Sequence, residues 1–277
     1  MTSENIIRRS AVAGSFYPGD PEMLSRQVEA YLSNVEPRDL RGIRAIVSPH
    51  AGYVYSGQVA AYSFRQVQGK RYDSIIIIAP SHAEYFEFVS LYHGDAYETP
   101  LGLVAVDRER VLKLEEASPL IERSHSGHGS EHSLEVQLPF LQAALGKDLK
   151  IIPVVIGDQS PDNITALGEA IGNIFSGENI LIVASTDLSH YHPYDKAVSM
   201  DLQVRDIIER FDSSKLIKDL SREEVEMCGG GPVASAMIAS KLMGADSSII
   251  LNYANSGDVS GDRSAVVGYL SAAFYKK

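Results

Sequence analysis

The sequence predicts a single α/β domain over residues 1–277, with a mainly parallel or mixed central sheet and helices on both faces. Three observations predict it. Segments of helical period alternate with short apolar runs. Those runs are β-branched and barely alternate, as strands covered on both faces do. No Pro/Ser/Gly-rich linker, repeat or low-complexity block divides the chain.

The elements follow in order. Helical periodicity at 21–34 precedes the strand Ala45–Val47, and Gly52 and Gly57 allow close backbone approach before a helix over 56–68. Ile75–Ala79 is the next buried strand. Phe88–Tyr92 and Leu101–Val106, the latter opened by Thr99-Pro100, read as edge strands, which makes the sheet mixed. A helix over 107–117 leads to the loop 123–131, least structured of the interior, which is either a rim or lid or simply solvated. Helix 131–145, strand Ile151–Ile156, helix 161–175, strand Ile180–Ala184 and helix 195–211 continue the alternation. Pro232 opens a helix over 232–243, and strands Ile249–Leu251 and Ala265–Leu270 close the chain. Between them Gly257–Arg263 reads as a polar turn with a loop salt bridge around Asp262 and Arg263.

Composition narrows the functions. With 25 basic against 36 acidic residues the net charge is −11, which repels phosphate backbones and anionic lipids, so neither nucleic acid nor membrane is an expected partner. No run approaches the roughly 18 to 20 apolar residues of a membrane span. The polar opening Met1–Asn5 has no signal-like stretch, and one cysteine, Cys228, cannot form an intrachain disulfide, so the expected address is the cytoplasm.

Chemistry is expected where three apolar strands run into histidine-bearing tips. These are AIVSPH ending at His50, IIAPSH ending at His82, and IVASTDLSH carrying Asp187 and His190. Ligands of open α/β sheets bind beyond the carboxyl ends of parallel strands, so His50, His82, Asp187, His190 and Cys228 are expected at one rim. Pro49 and Pro80 stiffen two of the tips.

Cys228 precedes Gly229-Gly230-Gly231-Pro232 at the start of a helix, where partial positive charge favours thiolate and the glycines leave the sulfur uncovered. It is then a metal ligand or a nucleophile. His50, His82 and Cys228 offer three donors to one divalent ion, a mixed, moderately soft set that suits iron(II), zinc or copper and not magnesium or calcium. Asp187 is either a fourth ligand or an acceptor fixing an imidazole tautomer, and His190 a general acid/base. His132 reaches the pocket or caps a helix, whereas His125 and His128, which complete an H-x2-H-x3-H pattern with it, carry little weight. Tyr53 and Tyr191 are further pocket candidates, and His192 a rim residue. A cysteine hydrolase would need an oxyanion hole from Gly229–Gly231. Serine hydrolase and nucleotide-binding signatures are missing.

The strings AVAGSFYP, SPHAGYVYSG, IIIIAPSH, EHSLEVQLPFL, VASTDLSHY, MCGGGP and SGDVSGDRSAVVGY resemble the Memo family over Ala11 to Phe274. Memo is the mediator of ErbB-driven cell motility, and its prokaryotic relatives are called AmmeMemoRadiSam system protein B. The resemblance implies a fold similar to the class III extradiol dioxygenases, which are non-heme iron enzymes. It implies a metal trio of His50, His82 and Cys228, iron(II) first with copper or zinc as alternatives, and Asp187 and His190 lining the same cleft. Those dioxygenases use a glutamate where Cys228 stands, so ring cleavage does not carry over. A metal-dependent redox enzyme or metal-binding protein working with radical-SAM partner proteins is the leading expectation. A non-catalytic adaptor that binds a peptide in the same cleft is the alternative.

Overall fold

In a computed structural model, residues 5–277 are described; the opening residues 1–4 lie outside the described residues. The chain begins with β1 (Ile7–Arg8), α1 (Pro21–Ser33), β2 (Ala45–Ser48), α2 (Tyr53–Arg65) and β3 (Ser74–Pro80). Next come β4 (Val89–Tyr92), β5 (Ala96–Thr99), β6 (Gly102–Val106), α3 (Arg108–Glu115) and β7 (Ile121–Ser124). They lead to α4 (Gln137–Leu145), β8 (Lys150–Ile156), α5 (Pro161–Phe175), β9 (Ile180–Ser185) and β10 (His190–His192). The chain closes with α6 (Tyr194–Glu209), α7 (Ser213–Ser221), α8 (Gly230–Leu242), β11 (Ser247–Asn255), α9 (Ser256–Ser260) and β12 (Val266–Tyr275). No helix among the described residues is long and apolar enough to cross a membrane.

The sheet is mixed. Its path runs β1-β5-β6-β8-β3-β9-β2-β12-β10, with β11 paired to β12 and β4 lying between β7 and β8. The apolar runs of β3, β8 and β9 form its buried parallel centre. Helices α1, α2 and α4 pack as one group and α5, α7 and α8 as another against the sheet, so both faces are covered and the run composition is explained.

Several boundaries differ from expectation. Strands β4 and β6 are not edges, because each has a neighbour on either side: β7 and β8 for β4, β5 and β8 for β6. Helix α2 starts earlier than expected, as Gly52 becomes its N-cap and the Tyr53 N–H is bonded to the Phe16 carbonyl. Helix α4 starts later. The N–H groups of His132 and Ser133 donate to the Glu131 side chain instead of joining a helix. Strands β1, β5, β7 and β10 and helices α7 and α9 were not anticipated; most are short and carry charged or polar residues at positions an apolar run would need.

The stretch 123–131 is solvated only in part: His125, Gly129 and Ser130 are exposed, while Gly127, His128 and Glu131 are buried. Its first residues belong to β7, and His128 is buried, taking a 2.6 Å hydrogen bond from the Tyr97 hydroxyl while its Nε2 faces the Ser90 carbonyl at 3.3 Å. Burial pushes this imidazole down to about 3, so it folds neutral. Between that value and the ordinary 6.5 the unfolded chain binds a proton that the folded one refuses, so this contribution is present above pH 6.5 and is lost as pH falls. Folding stability is therefore expected to drop by up to about 1.4 kcal/mol per pH unit below roughly pH 6.5. Urea unfolding at stepped pH checks this; a His128→Gln chain with the same acid slope would contradict it.

The 257–263 segment also differs. Residues 256–260 form α9, closed at its start by a capping box between Asn255 and Asp258 and at its end by Gly261 in the left-handed conformation. Asp262 accepts from Ser264, with no ion pair among the described residues, and Arg263 stacks on the Tyr194 ring.

Candidate metal centre

Register brings the tips together. Strand β9 lies between β3 and β2, all parallel, with Ser48 opposite Ser185 and Ile78 opposite Ala184. His50, His82 and Asp187 each lie two residues past the end of one of these neighbouring strands, so the sheet delivers them to one rim. His132 arrives from the turn before α4. One donor atom from each of His50, His82 and His132 falls within 4.8 Å of the others. Three nitrogens held tetrahedrally on one ion at about 2.1 Å are about 3.4 Å apart, so the rings close by about 1.4 Å when they share one.

The ligand edge of His50 is fixed by its neighbours. Ser185 has one hydroxyl proton, which it donates to the Ser133 carbonyl at 2.7 Å; it therefore accepts from Gln137 at 2.9 Å and from His50 Nδ1 at 2.8 Å. The proton sits on Nδ1, and Nε2 keeps its lone pair. His82 Nδ1 lies 3.0 Å from Glu131 Oε1, with the same consequence. The cluster fits a divalent transition ion: three imidazole nitrogens, two of them with their lone pairs assigned.

Cys228 is next to this cluster and outside it. Its sulfur lies 3.1 Å from His50 Nε2 and accepts the Asp187 N–H at 3.1 Å. Of the sequence-expected trio, the Cys228 sulfur meets His50, while His132 joins His50 and His82 in the mutually close set. The expected thiolate does not survive burial, which raises the thiol well above its ordinary value, with the Asp187 charge adding to the effect. The glycines pack and do not uncover the sulfur. A Cβ on Gly229 would run into the Ser185 carbonyl, one on Gly230 into Leu220 and one on Gly231 into Gln159. The Gly229 N–H donates to Thr186 and the Gly231 N–H to Gln159, which leaves no pair of free donors for the oxyanion hole a cysteine hydrolase requires.

Asp187 holds His50, and the structure does not put it on His190. Its Oδ1 accepts the His50 backbone N–H at 2.8 Å and its Oδ2 lies 3.9 Å from His50 Nε2. Burial raises this carboxyl to about 7, against the His50 hydrogen bond. His190 is half-buried in β10, its backbone N–H bonded to Glu226, and burial lowers its imidazole despite the nearby Glu226 charge. Burial also lowers His50 strongly and His132, so both rings are neutral donors.

Tyr53 is buried and lines a small cavity with Phe16 and Tyr17, apart from the three histidines, and its hydroxyl donates to the Val136 carbonyl at 2.6 Å. Tyr191 is 75% exposed with φ 61° and its ring packs edge-on to His190, which makes it a rim residue. His192 pairs with Glu226 at 2.8 Å. His125 lies against Tyr92 and His93, so the H-x2-H-x3-H pattern contributes His132 alone. A cleft of about 670 Å³ is bordered by Gln159, Leu220, Glu226 and Met227 and by none of the three histidines.

The family assignment follows from sequence comparison over nearly the whole chain. The model of the Memo-like protein family matches residues 8–273. The chain belongs to the Memo family. A MEMO1 family protein of Sulfolobus acidocaldarius is 40% identical over 284 residues, covering 97% of this chain and 99% of its own. One from Nitrosopumilus maritimus is 38% identical, covering 97% and 100%. Among solved structures, an uncharacterised protein from Escherichia coli matches with a TM-score of 0.55 at 15% identity, over 84% of this chain and 99% of that one, which is a likeness of fold. The mixed-sheet α/β architecture of this Memo-family chain is consistent with the extradiol-dioxygenase-like fold expected above.

Glu131 is the residue sequence reasoning missed. It is 3% exposed and accepts from the His82 side chain and backbone and from Ser133. Burial opposes its charge, yet those hydrogen bonds prevail and hold it well below the usual carboxylate range. Its only sequence signal was its place beside His132 in EHS.

Proposed function

We propose that this Memo-family protein is a metal-dependent enzyme of redox type. It would hold one divalent transition ion, iron(II) in the first instance, on His50, His82 and His132. The observation that carries this reading is the convergence of three imidazoles from separate segments, His50 and His82 with Nδ1 held by a neighbouring oxygen. Three protein nitrogens leave coordination positions open, as catalytic centres do and closed structural ones do not. When bound, such an ion supplies Lewis acidity and a one-electron couple at those positions.

The chain's own groups divide the remaining work. Ser185 and Gln137 hold the His50 ring, and Asp187 ties the His50 backbone to the end of β9. Cys228 directs its thiol proton at His50 Nε2 when that nitrogen is free, and stands ready as a soft neighbour to the ion. His190, at the rim, holds or releases a proton at its ring nitrogens, with the exposed Tyr191 ring packed against it. Action on a small molecule, alongside a radical-SAM protein, belongs to this proposal.

Metal analysis tests it. Protein purified without oxygen is expected to carry close to one transition ion per chain, or to take one up from iron(II), zinc or copper after chelation. A chain that neither carries nor reloads metal overturns the enzyme reading and leaves the peptide-binding adaptor.

A further inference from the structure

Strand β11 ends the sheet on one side, with β12 as its one ladder partner among the described residues. Alternate residues of an antiparallel strand turn their N–H and C=O away from the neighbour, so the outer edge of β11 carries a row of such groups with no strand opposite. Four strands of the sheet have a single neighbour, and three of them are blunted. β1 has two residues and ends in Arg8, β7 has four and carries Glu122 and Arg123, and β10 has three. β11 has nine residues, Ser-Ser-Ile-Ile-Leu-Asn-Tyr-Ala-Asn, with no charge and no proline. Helices α2 and α6 pack against it, yet Ile249, Ile250 and Tyr253 stay only partly buried, because cover is missing on the side where a further strand would lie. One irregularity interrupts the strand, a bulge at the buried Leu251, whose carbonyl accepts from Arg38 at 3.5 Å.

We propose that β11 is a dimer interface: it pairs antiparallel with β11 of a second copy and joins two sheets across a two-fold axis. Three points select a second copy as the occupant. Antiparallel pairing about such an axis sets the same strand against itself, so each backbone donor row meets its own complement. Each chain has a net charge of −11, so two copies repel where their carboxylates face one another, and β11 offers a contact line free of that charge. One such edge per chain is used up by the pairing, so association stops at two.

Sedimentation velocity of the full chain between about 1 and 100 μM tests this, and the mass is expected to rise from one chain to two and no further. Hydrogen exchange, run at both ends of that range and read by mass spectrometry, is expected to slow across residues 247–255 as the dimer forms, since outward N–H groups gain partners. Asn252 is a partly exposed polar residue of the strand. Asn252→Lys is expected to weaken the dimer by about tenfold or more with the fold kept, because each copy then brings an ammonium group to the shared edge. A mass that stays at one chain, or grows past two, overturns the proposal. So does a dimer whose exchange across 247–255 is the same at both concentrations. A folded Asn252→Lys chain that dimerises as the wild type does overturns it as well, and if that variant fails to fold, exchange in the wild type decides. None of these measurements involves metal, so their outcome stands apart from the function proposed above.

Discussion

His50→Ala is expected to strip the protein of stoichiometric metal while leaving it folded. The ring supplies one of three nitrogens, so its loss leaves two ligands and no defined face for an ion. Loss of an outer hydrogen-bond partner alone costs about 10–100-fold in metal affinity, and loss of a direct ligand is expected to exceed the upper end of that range. The fold tolerates the change because His50 sits past the end of β2 and the buried strands carry the core. Metal content by mass spectrometry, with far-ultraviolet circular dichroism as the folding control, reads both effects. The companion variants decide the third ligand. His132→Ala is expected to lose metal as His50→Ala does, and Cys228→Ala to retain it. The reverse pattern would mean that the ion takes the sulfur of Cys228 and that His132 only borders it.

The largest stability effect is expected at the buried ion pair of Arg8 and Glu135. Glu135→Gln should destabilise the chain by about 3–5 kcal/mol, because it leaves the Arg8 guanidinium buried and uncompensated. Both side chains are buried, and Glu135 also accepts the N–H groups of Ala11 at 2.8 Å and Val12 at 3.1 Å and the hydroxyl of Tyr17. Arg8 continues to the carbonyls of His128 at 2.9 Å and Glu131 at 2.6 Å. This pair therefore ties the amino-terminal segment to the turn that carries Glu131 and His132. For a chain of this size the melting temperature is expected to fall by roughly 10 °C. Weaker zinc binding should accompany it, since the turn loses its anchor. A Glu135→Gln chain that melts with the wild type would show that the pair is neutral in its net effect.

How much of this was legible in the sequence differs from part to part. The buried strands β3, β8 and β9 were readable because uninterrupted β-branched runs suit only positions covered on both faces. Helices α1 and α5 were readable from period, and the structure adds Asp20 and Ser160 as their caps. The short strands were not, since β7 carries Glu122 and Arg123 and β10 is His-Tyr-His, patterns that pairing partners alone make into strands. His50 and His82 were readable from their place after the runs of β2 and β3.

The sequence by itself determined the alternating architecture, the rim at which His50, His82, Asp187 and Cys228 gather, and membership of one family. Only the tertiary structure decided that His132 joins His50 and His82 in one mutually close set, that the Cys228 sulfur lies against His50, and that Glu131 holds the His82 ring. The reason is physical. Strand identity depends on local composition, which the chain carries residue by residue. A ligand set, a proton's place on a ring and the charge state of a sulfur depend on distances of about 3 Å between segments far apart in sequence, and on how much water is left between them.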